Sequence, residues 1–350
     1  MTYSKRLEKE TKTRFFVNNP TPEEARKALG IGNVIGAVTN GNYIKKMLTS
    51  PETKQEMTAY VDGLIRQGLT DEEKIAAHLA RHAVGRIAKI FEERFEKTRG
   101  AEGWTAIQGD PNYDTDYDYM ISEADFFYQE APNIRVKFPA TDEAMQALET
   151  MTARGKATLA TCGFSIRYGI DAFEAYKRGC QKGKGAPVFY VTMLAGHVDE
   201  YLEKYIKANQ ISLSDEALHS AGCEFAKILY QVQQDRYSDL NAKVLGGCRT
   251  SAHFTEMVPG DMCVTVNYDF IEMLNEMNPE VEERCSRHAD EKTIKELTDK
   301  LPFYNYTISE NSTEYIHWSL LPTALYFRNY VRTGWNDAVS IIRERKVMFR

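Results

Sequence analysis

The chain has 350 residues, 43% hydrophobic and 27% charged, with 44 Lys and Arg against 50 Asp and Glu for a net charge of -6. That balance is typical of a globular protein able to bury a large core, and it excludes a disordered chain or a strongly basic nucleic-acid binder. No run approaches the roughly 18 apolar residues needed to span a bilayer, so no membrane role is expected. Six cysteines, at 162, 180, 223, 248, 263 and 285, are scattered without a C-x-x-C pair. They are expected to be buried thiols, with no zinc site and no disulfide framework. Met1-Thr2-Tyr3-Ser4-Lys5-Arg6 leads into mixed charges with no apolar segment, so a cytoplasmic protein is expected.

Strand-like runs, taken in chain order, fall at 14–18, 33–39, 104–108, 133–138, 157–161, 188–193, 243–247 and 262–266, with helical patterns between them. Alternation of this kind predicts βα units around a parallel sheet, and eight strands are the number that closes a barrel. Thr21-Pro22-Glu23-Glu24 is a capping box with proline at the first helical position, and Gly30 is expected to end that helix. Thr70-Asp71-Glu72-Glu73 opens a longer helix whose apolar face reads Ile75, Leu79, Ala83, Ile87, Ile90 and Phe95, a stripe that belongs to the core. About 60 residues separate the second and third strands, so at least two helices are expected there, within a helical insertion at about 45–100. A C-terminal helical extension covers about 270–350 and ends in a long helix from 321 to 345. No flexible linker precedes it, so a single domain is expected.

Lys137 is the most informative residue. Alternation along Ile134-Arg135-Val136-Lys137-Phe138 sends the three apolar side chains to one face and Arg135 and Lys137 to the other. In a closed barrel Lys137 then projects inward near the carboxyl end of its strand, where such barrels carry out chemistry. An amine held among apolar walls loses hydration, which favours its neutral, nucleophilic form. Schiff-base catalysis requires that form. The bland alternative is a strand-end lysine that reaches solvent.

Five segments, in order, resemble motifs of the transaldolase family. They are Val38-Thr39-Asn40-Gly41-Asn42-Tyr43-Ile44, Val136-Lys137-Phe138-Pro139-Ala140-Thr141, Thr161-Cys162-Gly163-Phe164-Ser165, Thr192 through Asp199, and Gly246-Gly247-Cys248-Arg249-Thr250. The resemblance implies a (β/α)8 TIM barrel whose lysine, here Lys137, attacks a ketose carbonyl so that the iminium acts as an electron sink for the adjacent carbon–carbon bond. It implies no cofactor, with a small sugar or sugar phosphate as partner. By the same likeness Thr161 positions the water of imine formation, and Asn40, Thr192, His197, Ser165 and Arg249 contact substrate. Oligomers are frequent in that family, and the C-terminal helix offers a surface for a homo-oligomer.

The departures from the family pattern are chemically pointed. Asn18 and Gln108 stand where the family has carboxylates on the first and third strands, and an amide accepts no proton at neutral pH. His197 stands where the family has a phosphate-binding arginine, leaving Arg249 as the matched guanidinium and weakening recognition of a phosphate. His197 is weighed as a replacement acid or base against a hydrogen-bonding role. Asp114, Asp116 and Asp118 have calcium-loop spacing, but Tyr119 fills the place that needs glycine, so a solvated acidic loop near the pocket is expected, with no metal. Cys162 and Cys248 read as small packing residues. Two readings stand: a Schiff-base aldolase or transaldolase acting on a ketose, and a catalytically impaired barrel that binds a sugar in a regulatory or structural role.

Overall fold

Eight short strands pair in parallel, each with its sequence neighbour, and the last pairs with the first. In the computed structural model, which describes residues 1–349 and Ser251 by its backbone alone, they are β1 (Arg14–Asn18), β2 (Val34–Val38), β3 (Trp104–Gln108), β4 (Ile134–Phe138), β5 (Thr158–Gly163), β6 (Phe189–Met193), β7 (Ala242–Gly247) and β8 (Cys263–Val266). The ring is a closed (β/α)8 barrel, as the spacing of strand-like runs predicted.

Both faces of the strands are covered, which is why their sequences read as apolar runs broken by single polar residues. On the outer face Ile134, Val136 and Phe138 join the core shared with the surrounding helices. The inward residues Phe16, Ile35, Ala106, Leu159, Tyr190 and Leu245 fill the barrel. Arg135 and Lys137 lie on that inward face, as strand alternation requires.

The helices follow their caps. Thr21 Oγ1 accepts from the Glu24 N–H at 3.2 Å while Glu24 Oε2 accepts from the Thr21 N–H at 2.7 Å, completing the capping box. That helix, Pro22–Ile31, runs one residue past Gly30 and stops at Gly32, whose φ of +97° disfavours any other residue. Asp71 caps the helix Glu72–Lys97, and Ile75, Leu79, Ala83 and Ile87 are buried, whereas Ile90 and Phe95 lie at its margin. Three helices occupy the span between β2 and β3, in keeping with the at least two expected: Tyr43–Thr49, Lys54–Arg66 and Glu72–Lys97.

After β8 the chain forms helices Tyr268–Met277, Glu291–Lys300 and Pro302–Ile308 and then the long helix Pro322–Val347. This last helix returns across the carboxyl ends of the strands. Gly41 admits it: a Cβ there would lie 2.5 Å from the Val331 carbonyl oxygen. The loop after β3 is not the solvated acidic loop expected from its composition. Asp114 is buried and receives two hydrogen bonds from Arg328 of the long helix, at 2.7 and 2.8 Å, and Asp116 caps the helix Tyr117–Tyr128. Only Asp118 of the three remains an exposed, uncommitted acid, so the loop ties down the C-terminal helix and places no free row of charge at the mouth.

Candidate active site

Lys137, the last inward-pointing residue of β4, is 8% exposed. Its Nζ donates to the Thr39 carbonyl at 3.0 Å, a bond reaching past β3 to the residue after β2 that fixes the amine at the carboxyl mouth. Burial lowers its pKa to about 8, opposed by nearby Cys162. An amine at that value is far more often neutral than an ordinary lysine.

Seven of the nine residues singled out from sequence converge on one cavity of about 40 Å³: Asn18, Asn40, Lys137, Thr161, Thr192, His197 and Arg249. Two do not line it. Gln108 lies beside it, lining a small adjoining cavity that also touches Lys137, and its Nε2 donates to Cys162 Sγ at 3.7 Å. Ser165, placed by resemblance among the substrate contacts, is instead fully buried, and its Oγ caps the helix Ile166–Lys182 by accepting from the Tyr168 N–H at 3.1 Å. A serine one residue before a helix is spoken for by that helix.

Amides fill the side of the mouth formed by β1 and β2. Asn40 Oδ1 accepts from Asn19 Nδ2 at 3.1 Å and from the Asn42 N–H at 3.0 Å, while Asn18 Nδ2 donates to Asn267 Oδ1 at 3.0 Å. No carboxylate lines this cavity among the described residues. Two buried polar atoms, Gln108 Oε1 and Thr192 Oγ1, have no hydrogen-bond partner within the protein and so are open to a hydroxyl or a water.

The opposite side is built around Arg249. Its Nη2 donates to His197 Nε2 at 2.8 Å, and because a guanidinium only donates, that nitrogen must be the unprotonated one. The His197 proton is therefore on Nδ1, which donates to Glu200 Oε2 at 2.7 Å. Burial lowers the His197 pKa, with Arg249 adding to the effect. Both ring nitrogens are engaged, so His197 holds Arg249 rather than acting as a free acid or base. Glu200 also pairs directly with Arg249, at 3.4 Å, offsetting part of its charge.

A second histidine supports the same loop. His253 Nδ1 accepts from the N–H groups of Arg249 and Thr250 at 3.2 and 3.1 Å, and its Nε2–H donates to Asp199 Oδ2. Asp199 Oδ1 in turn accepts from the Gly222 N–H at 2.9 Å. Glu200, His253, Asn19 and Asn267 were not foreseen from the sequence. His197 with Glu200 at i,i+3 on one helix was the available signal; the pairing of Asp199 with His253, 54 residues apart, left none.

Cys162 is buried behind Lys137 with φ of +65°, where β5 breaks register with β6. Burial raises its thiol pKa to about 11, so it is a neutral neighbour of the amine. Cys248 borders the cavity itself. Over the mouth stands Phe327 of the C-terminal helix, its ring 4.4 Å from that of His197.

A family model described as Transaldolase/Fructose-6-phosphate aldolase matches residues 15–316. Among curated proteins, the chain is 25% identical over 221 residues to a transaldolase of Arthrobacter sp. (strain FB24), covering 61% of this chain and 58% of that protein. It is 26% identical over 229 residues to a transaldolase of Kocuria rhizophila, covering 61% of this chain and 59% of the relative. With a transaldolase of Mycobacterium leprae (strain TN) it shares 24% identity over 243 residues, 62% of this chain and 61% of the relative. The chain thus spans about three fifths of the length of these curated relatives. Barrel, motif order and a match over most of the length agree: the chain belongs to the transaldolase/fructose-6-phosphate aldolase family.

Proposed function

We propose that this protein is a Schiff-base enzyme of the aldolase type, transferring or cleaving a dihydroxyacetone-type unit of a ketose through an imine on Lys137. The observation that carries this reading is the enclosed amine at the carboxyl mouth, in a cavity that no carboxylate lines among the described residues, its pKa brought down to about 8 by burial. The neutral nitrogen attacks the ketose carbonyl carbon, and the carbinolamine loses water to give an iminium. Cleavage of the adjacent carbon–carbon bond sends its electron pair into the iminium, leaving an enamine, while the departing carbon's hydroxyl loses its proton and becomes an aldehyde. Return of that proton to the enamine carbon and hydrolysis release the donor. Transfer instead passes the enamine to an aldose acceptor.

In this reading Thr161 and the open Gln108 Oε1 orient water near the nitrogen, and Asn18, Asn40 and Thr192 hold hydroxyls. With amides in place of carboxylates, the hydroxyl proton leaves through water, so bond cleavage is slower than imine formation. Arg249, already held by His197 and Glu200, favours a neutral polyol end over a phosphate dianion. Borohydride reduction in the presence of saturating dihydroxyacetone is expected to add the trapped donor at Lys137, located by peptide mass mapping, and Lys137→Met is expected to abolish it. Absence of an adduct in the native protein overturns the imine mechanism.

A second reading is favoured by the two amides at positions 18 and 108: a barrel that binds a sugar without turning it over. The double variant Asn18→Asp with Gln108→Glu separates the two. A large gain in aldol cleavage marks a dormant scaffold, while unchanged or reduced activity marks an enzyme with its own arrangement.

A further inference from the structure

Two residues below Lys137 on β4, Arg135 lies at the barrel floor and is 0% exposed. Its guanidinium carbon is 5.0 Å from the Trp104 ring centre and 4.5 Å from that of Tyr190. Nε, Nη1 and Nη2 have no hydrogen-bond acceptor in the protein. The two π faces offset part of the charge, but they satisfy none of the five N–H bonds along their own directions. An enclosed guanidinium without acceptors is strongly disfavoured, so its acceptors must come from outside the chain.

The route to it is on the same face of the molecule. Trp104 and Tyr190 also form the wall of a cavity of about 810 Å³ that opens at the amino-terminal mouth of the barrel, opposite Lys137. Its rim carries Lys12, Arg14, Arg99 and Lys243 against Glu102 and Asp261. Glu102 is committed to Arg94 at 2.7 Å and Asp261 to Lys243 and, at 3.8 Å, Lys12, leaving Arg14 and Arg99 without a carboxylate among the described residues. Positive charge is therefore in surplus at the rim as well as behind the wall.

We propose that this amino-terminal cup binds an oxyanion, the phosphate or carboxylate of a small molecule, with Arg135 as its buried anchor and Arg99 and Lys243 at its rim. The Trp104 indole, tethered through Nε1 to the Gly100 carbonyl at 2.8 Å in a loop turned by Gly100 and Gly103, moves aside to admit the anion. The site is separate from the imine chemistry at the other mouth and stands or falls independently of it.

Tryptophan fluorescence and thermal melting of the full chain, titrated with sodium phosphate and sodium acetate against sodium chloride at matched ionic strength, test the proposal. A saturable response is expected in the native protein and in Arg249→Met, with the fluorescence part lost in Trp104→Phe. In Arg135→Met the apparent Kd is expected to rise at least about tenfold. Should that variant fail to fold, Arg99→Ala and Lys243→Met, both at the rim, are expected to weaken binding severalfold. A response no greater than that of chloride, an unchanged Kd in Arg135→Met or in both rim variants, or a response lost in Arg249→Met overturns it.

Discussion

At the scale of single residues, Lys137 sets reactivity against stability. At pH 7 an amine with its pKa of about 8 is neutral about one time in ten, against about one in three thousand for a lysine at 10.5. Imine trapping at fixed donor is therefore expected to rise with pH up to about 8 and then level off; a rise continuing to pH 10 would show an ordinary lysine. The linkage has a definite sign. Below about pH 8 folded and unfolded chains both carry the proton and the buried charge costs its full amount, whereas between about 8 and 10.5 only the unfolded chain stays protonated and stability climbs. Lys137→Met should remove that climb and stabilise the protein at pH 7 by about 2 kcal/mol, measured by urea unfolding. Lys137 was legible from strand alternation and motif likeness. A hydrogen-bonding role for His197 was among the readings open from sequence, but its partner Arg249 and the cap made by Ser165 were not legible, because both depend on what each side chain faces after folding.

At the scale of elements, two contacts tie loops to helices around the mouth. Arg328 holds the buried Asp114 in a bidentate pair, so the C-terminal helix and the loop after β3 are fastened together. Arg328→Ala leaves a buried carboxylate with only the more distant Arg332, at 3.8 Å, and should cost about 3 kcal/mol in chemical unfolding. Asp114→Asn, which removes the charge as well, should cost less. The second contact joins β3 to the helix Tyr117–Tyr128: Glu123 accepts from the Asp110 N–H at 3.1 Å, and burial raises the Glu123 pKa to about 8. The folded state then keeps a proton that the unfolded chain has lost, so stability falls as pH rises from about 4.5 to 8. Glu123→Gln should match the native protein at pH 5 and exceed it at pH 9, as read from unfolding midpoints. Nothing in the acidic loop's composition distinguished Asp114, buried and paired, from Asp118, exposed; the partner comes from a helix more than 200 residues away.

At the scale of the whole molecule, the C-terminal helix decides how much room the mouth offers. Phe327, 3% exposed, closes a cavity of about 40 Å³, room for a water or two, so the donor of the proposed reaction reaches Lys137 only when that ring moves. Phe327→Ala is expected to lower the donor concentration needed for half-maximal trapping at Lys137 while costing about 3 kcal/mol of stability. An unchanged trapping curve would mean that access lies elsewhere.

The sequence by itself determined the eight strands, their inward and outward faces, the caps that start the helices and the strand end that carries Lys137. These follow from period-two alternation, capping chemistry and short-range motifs, all of which are local. The course of the C-terminal helix across the mouth was decided by tertiary structure. So were the Arg249–His197–Glu200 cluster, the asparagine pairs and the burial of Arg135 between two rings. Each joins residues far apart in the chain, and their distances exist only once the strands have curved into a barrel and brought their ends to one face.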